Sequence, residues 1–191
     1  MTKVSIVYFS GAGHTHLMAE ALAAGVGRVE GATVELIRIV GEQIVNGRWK
    51  DDAALEKLSQ SDAIVFGSPT YMGGVAAQFK AFIDAASSVW FVQGWKDKIS
   101  GGFTHSGSLS GDKQGTLLYL SINAAQHSMV WVGNADGNDG IVNRLGAYLG
   151  VMGQTIPDRS GAPATLDPGD QKTAESYGER IAIAAQRWKK A

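Results

Sequence analysis

Three short polar clusters hold the residue types that could do chemistry, and the chain has no cysteine to add a thiol nucleophile, a disulfide or a thiolate metal ligand. The first is Ser10-Gly11-Ala12-Gly13-His14-Thr15, set between an apolar run and a helix-like pattern. The second is Pro69-Thr70-Tyr71-Met72-Gly73-Gly74, and the third is His105-Ser106-Gly107-Ser108-Leu109-Ser110-Gly111. A small-residue turn that opens a helix can bind phosphate through backbone N–H groups, the helix dipole and nearby hydroxyls. No Lys or Arg lies between Tyr8 and Leu22. A Walker A loop needs G-x-x-x-x-G-K-S/T, so a triphosphate does not fit. A dinucleotide fingerprint needs G-x-G-x-x-G, but His16 stands where the third Gly belongs, and Ile39-Val40 leave no acidic residue at the end of the next strand. Two readings remain. One is a phosphate monoester held without a cation by amides and the Ser10 and Thr15 hydroxyls. The other is an ordinary tight turn with Ser10 as helix cap.

The elements that must position these clusters follow from periodicity. Val4–Phe9, Thr33–Ile39, Ala63–Gly67, Ile99–Thr104 and Met129–Val132 read as five strands, the first and third as apolar runs buried on both faces. Helical spacing marks His14–Val26, Asp51–Leu58, Val75–Ala86, Gly115–Gln126 and Gln171–Lys189, with Asp51 or Asp52 as N-cap of the second. Strict alternation of strand and helix predicts an α/β fold, a three-layer sandwich with a parallel sheet and helices on both faces. Five strands suit the flavodoxin-like order 2-1-3-4-5, in which strands 1, 3 and 4 are neighbours and the three clusters share one edge. The stretch 133–169 carries little regular pattern, which is how functional or disordered loops read.

Composition limits the partners. The 191 residues are read as a single domain, 1–191, with 45% hydrophobic and 18% charged residues and a net charge of −1. That charge argues against nucleic acid or a membrane surface. No apolar stretch approaches a membrane span, and residues 1–9 lack a signal-peptide layout, so a cytoplasmic protein is expected. No set of carboxylates and histidines has metal-ligand spacing, so no metal is expected.

Ser10-x-x-Gly13-x-Thr15 resembles the FMN-phosphate loop of flavodoxins, S/T-x-S/T-G-x-T, with Ala12 in place of the middle hydroxyl. The chain as a whole is more similar to the NAD(P)H:quinone oxidoreductases related to the Trp-repressor-binding protein, WrbA. The stretches that carry this likeness are Phe66–Asp84, Gly102–Leu117, Ala124–Gly133 and Thr173–Ala182. The resemblance implies FMN as cofactor, NAD(P)H as reductant and a quinone as acceptor, with a hydride passed through flavin N5. It assigns Ser10, Gly11, Ala12, Gly13, His14 and Thr15 to the phosphate. Pro69, Thr70, Tyr71, Met72 and Gly73 go to the ring, and His105, Ser106, Gly107, Ser108 and Gly111 to the pyrimidine edge and ribityl chain. His127 matches a family His beside the flavin, where it would polarise the reduced ring; the alternative is a simple helix-end partner. Trp90 aligns with a substrate-cleft Trp, with packing as the alternative. His105, Leu109 and Ala12 depart from the family, which carries an aromatic residue at the position of Ala12. The resemblance also implies a homodimer or homotetramer, because a neighbouring subunit completes the family's flavin cleft. Three other functions are open: a flavodoxin-type electron carrier, an NAD(P)H-dependent FMN reductase or azoreductase, and a partner module that binds no flavin.

Overall fold

The structure, a computed structural model, describes residues 1–156, 158 and 160–189. Its first strand, β1 (Thr2–Phe9), sends Val4, Ile6 and Tyr8 into one core and Val7 and Phe9 into the other. A strand buried on both faces belongs at the centre of a sheet covered on both sides. The chain continues through α1 (His14–Gly27), β2 (Ala32–Ile39), a hairpin of β3 (Ile44–Val45) and β4 (Arg48–Trp49), and α2 (Asp52–Ser59). Then come β5 (Ala63–Tyr71), β6 (Gly74–Val75), α3 (Ala77–Ala85), α4 (Ser87–Phe91), β7 (Ile99–Ser106) and α5 (Lys113–Gln126). Two short strands, β8 (Val130–Trp131) and β9 (Val151–Gln154), precede α6 (Pro168–Lys189).

The main sheet has the order β2-β1-β5-β7-β8, and every pairing along that path is parallel. This is the expected flavodoxin-like α/β sandwich, with one change. The fifth position is filled twice: β8 pairs with Ile99 and Ser100, and β9 pairs with Phe103 to Ser106 further along the same strand. Helices α1 and α6 cover one face through Met18, Leu22, Tyr177 and Ile181; α2, α3 and α5 cover the other through Leu58, Phe79, Phe82 and Leu120.

Local chemistry explains the boundaries. Asp51 caps α2, its Oδ1 accepting the Ala54 amide at 2.9 Å. The helix expected from Val75 starts at Ala77, because Gly74 and Val75 turn back to pair with Tyr71 and Thr70. The strand expected to end at Thr104 runs on to Ser106, so His105 is a strand residue rather than a loop residue. The β3–β4 hairpin turns on Asn46 and Gly47, both with positive φ as a type I′ turn requires. No helix among the described residues is long and apolar enough to cross a membrane.

Candidate functional site

The three clusters follow β1, β5 and β7, which are adjacent in the sheet, so all three meet at its carboxyl edge. In the first cluster Ser10 is buried, and its Oγ accepts the amides of Gly13 and His16, each at 3.2 Å. That leaves the hydroxyl proton of Ser10 without an acceptor among the described residues. Among the described residues the amides of Gly11, Ala12, His14 and Thr15 have no protein acceptor. Gly13 has φ +92°, a backbone state closed to most side chains, and a Cβ there would stand 2.7 Å from that of Ala164. The turn thus gathers unspent backbone donors at the start of a 14-residue helix. A cation is near after all: Arg38 on β2 donates to the Ser10 carbonyl at 3.2 Å.

The second cluster lies against the first. A Cβ on Gly11 would sit 2.5 Å from the Tyr71 hydroxyl, so the tyrosine reaches across the turn. Tyr71 is 47% exposed, and Met72, with positive φ, is fully exposed. Pro69 and Thr70 are buried. The Thr70 hydroxyl meets those of Thr104 and Thr116 at 2.7 Å each, a knot that ties the loop to β7 and α5. Beside Tyr71 an open, mostly apolar hollow of about 750 Å³ runs over Gly73, Val75, Gln78 and Tyr119.

The third cluster is braced from below. His105 is 4% exposed, stacks on His14 with ring centroids 4.6 Å apart, and shares a hydrogen bond with Thr155 at 3.2 Å. Burial and the neighbouring His14, Lys113 and Arg144 push its imidazole down to about 3. Burial also lowers His14. Ser108, Leu109 and Ser110 are exposed, and Ser106, Gly107 and Gly111 are half-buried. Gln154 donates to the Gly107 carbonyl at 3.0 Å. Its own amide donates to Asp170, which holds Arg144 through two bonds of 2.7 and 2.8 Å. Arg144 also donates to the Gln154 carbonyl at 2.8 Å, so the strap joins residues 133–150, β9 and the start of α6 to the third loop.

Trp90 and His127 do not join these clusters within one chain. His127 follows α5, about 21 Å of helix from Lys113, just before β8 pairs with the first residues of β7. It therefore lies at the opposite end of the sheet. Trp90, on α4, is there too, and the pair line a cleft of about 280 Å³ with Phe91, Gln93, Gln126 and Ser128. The resemblance puts the charge of His127 beside a reduced flavin, with a plain helix-end partner as the alternative. Instead it is buried against Trp95, centroids 4.4 Å apart, and burial pushes it down to about 4, so it is neutral at pH 7. Trp95 is core, fully buried beside Phe66 and Phe82.

Residues 4–137 match the NADPH-dependent FMN reductase family. The chain belongs to this family. Among its relatives, flavodoxin FldP of Pseudomonas aeruginosa is 42% identical, with 98% of each chain covered. An NAD(P)H dehydrogenase (quinone) of Caulobacter vibrioides is 35% identical over 97% of this chain and 98% of its own. The crystal structure of a flavodoxin, WrbA-like protein from Agrobacterium tumefaciens is 41% identical, with TM-score 0.74 and coverage of 98% and 99%. The structure also brings residues that the sequence did not single out against the three clusters: Arg38, Thr104, Lys113, Thr116, Arg144, Gln154 and Asp170. Their places come from contacts across the fold, which no local pattern marks.

Proposed function

We propose that the chain binds FMN at the carboxyl edge of the sheet and serves as an NAD(P)H-dependent two-electron reductase of quinones. The observation that carries this reading is the first loop: four unengaged amides, the Ser10 hydroxyl and Thr15 at a helix start, with the Tyr71 ring laid across Gly11. This donor set fits a single phosphate monoester bound through backbone amides, while the Tyr71 hydroxyl and the Ala164 methyl fill the space that side chains at Gly11 and Gly13 would take. In this reading Ser10–Thr15 hold the phosphate, Pro69–Gly73 flank the ring, and His105, Ser106, Gly107, Ser108 and Gly111 face the ribityl chain and pyrimidine edge. Bound FMN supplies the redox chemistry, accepting two electrons from NAD(P)H and yielding them to the quinone. The protein's own residues bind, orient and stack. His105 stays neutral and holds His14 in place, and the threonine knot fixes the height of the second loop.

Trp90 and His127 enter this reading through a neighbouring copy. A homodimer or homotetramer would carry their cleft to the ring edge of the adjacent chain. Trp90, Phe91 and Val92 form an exposed apolar corner suited to such a contact.

Reconstitution with FMN, followed by anaerobic addition of NADH or NADPH with and without benzoquinone, tests the proposal. A yellow complex that bleaches with nucleotide and recovers its colour with quinone is expected. Absence of a complex at micromolar FMN removes the flavin reading. Binding without bleaching selects the electron-carrier reading, which the whole-chain similarity to flavodoxin FldP favours.

A further inference from the structure

We propose that Lys113 is a positioning residue for the flavin: its buried ammonium draws three acceptors of the third loop inward and so turns the loop's amides toward the ligand. The inference rests on the flavin reading above.

Lys113 is in the wrong place by two local rules. It is the first residue of α5, where the positive end of the helix dipole disfavours a cation. It is also fully buried, which lysine seldom is unless paired. What offsets both costs is a complete set of partners: Nζ donates to Ser106 Oγ at 2.9 Å, to the Ser108 carbonyl at 2.7 Å and to the Leu109 carbonyl at 2.9 Å. An ammonium has three protons, and all three are used. Burial lowers Lys113, Asp170 opposes that shift and Arg144 adds to it, which brings the ammonium down to about 8, still cationic at neutral pH.

The consequence lies in the peptide planes. No peptide bond among the described residues is cis, and in a trans peptide the C=O and the following N–H point in opposite directions. With the Ser108 and Leu109 carbonyls aimed down at Lys113, the amides of Leu109 and Ser110 point up, toward the exposed side of the loop. Neither has a protein acceptor among the described residues. Gly111, with φ +56°, lets the chain close over the lysine, and a Cβ there would collide with Ser106 Oγ. The loop thus presents two donors on a cationic base, matched to an electron-rich pyrimidine edge whose negative charge grows on reduction.

Lys113→Met and Lys113→Gln test this beside the unaltered protein. Met removes charge and donors; Gln keeps two donors and is the milder change for folding. In the apoprotein, amide exchange of residues 106–112 should quicken by about tenfold in Lys113→Met, with β1 and β5 unchanged. FMN affinity, read by quenching of flavin fluorescence, should weaken by about ten- to a hundredfold, with Lys113→Gln between the two. The midpoint potential of the bound flavin should fall in both variants, because the cation favouring the reduced form is gone. FMN affinity within about twofold of the unaltered protein in both variants, or unchanged potential and exchange in a folded Lys113→Gln, would overturn the proposal. Failure of the unaltered protein to bind FMN would instead sink the flavin reading itself.

Discussion

At the carboxyl ends of β1, β5 and β7 the chain leaves backbone donors unspent and braces them from beneath with side chains that are fully engaged. At the opposite end of the same sheet, around Trp90 and His127, an open aromatic cleft is lined by a neutral imidazole whose buried Nδ1 has no partner among the described residues. At the first end side chains grip the loops from beneath, whereas at the second the supporting bonds are backbone turns around Trp90, Gln93 and Ser128 and the bond from Trp95 to Ser59. A polar loop can wait for a ligand in one shape only if something else holds it there.

The largest effect should come from removing the brace. In Asp170→Ala the Arg144 guanidinium loses its partner and the Gln154 amide loses its acceptor, so urea unfolding should show a loss of about 3–5 kcal/mol. A change below about 1 kcal/mol would mean that the strap does not hold the third loop.

Acid separates the two ends next. His105 and His127 stay neutral in the fold down to about 3 and about 4, whereas an unfolded histidine gains its proton near 6.5. Between these values the unfolded chain binds more protons, so stability falls as the pH drops from 6.5 towards 4. Each histidine should contribute about 1–2 kcal/mol of that fall at pH 5. His127→Asn should flatten its share while leaving FMN affinity within about twofold. His105→Asn should flatten the other share and weaken FMN. If both variants changed FMN affinity alike, the separation of the two ends would be wrong.

Gly13→Ala should cost about 1–2 kcal/mol for the positive φ, seen as roughly tenfold weaker FMN binding by titration. Trp90→Ala should be the mildest for FMN, leaving its affinity unchanged within error while raising the quinone KM and loosening self-association in sedimentation. Unaltered quinone kinetics would take Trp90 out of the site.

Most of the fold was legible because its strands and helices carry strong periods. Val4–Phe9 and Ala63–Phe66 are too uniformly apolar to lie anywhere but the middle of a covered sheet. The second half of the fifth strand was not legible: Val151–Gln154 is four residues with one glycine, and a strand that short is defined by its partner. The β3–β4 hairpin did carry its Asn-Gly signal, but two-residue arms give no alternation to support it. In the site, the first loop could be read because its chemistry is local. Lys113 could not, since in sequence it is an ordinary polar residue two places before the expected start of a helix at Gly115. Only the fold shows the carbonyls beneath which it is buried.

The split fifth strand also makes residues 132–150 an excursion from the sheet that is tied back to it at Arg144. Residues 132–150 leave the sheet after β8 and return at β9, and both pieces stay bonded to β7. The Lys189 ammonium donates to the Met1 carbonyl at 3.2 Å, so the two ends of the described chain are neighbours. A circular permutant that joins those ends and opens near Gly137 would therefore keep every pairing of the sheet. Variation in this excursion is therefore tolerated only where the Arg144 bonds to Asp170 and Gln154 are kept, which confines change to its exposed tip while the frame stands still.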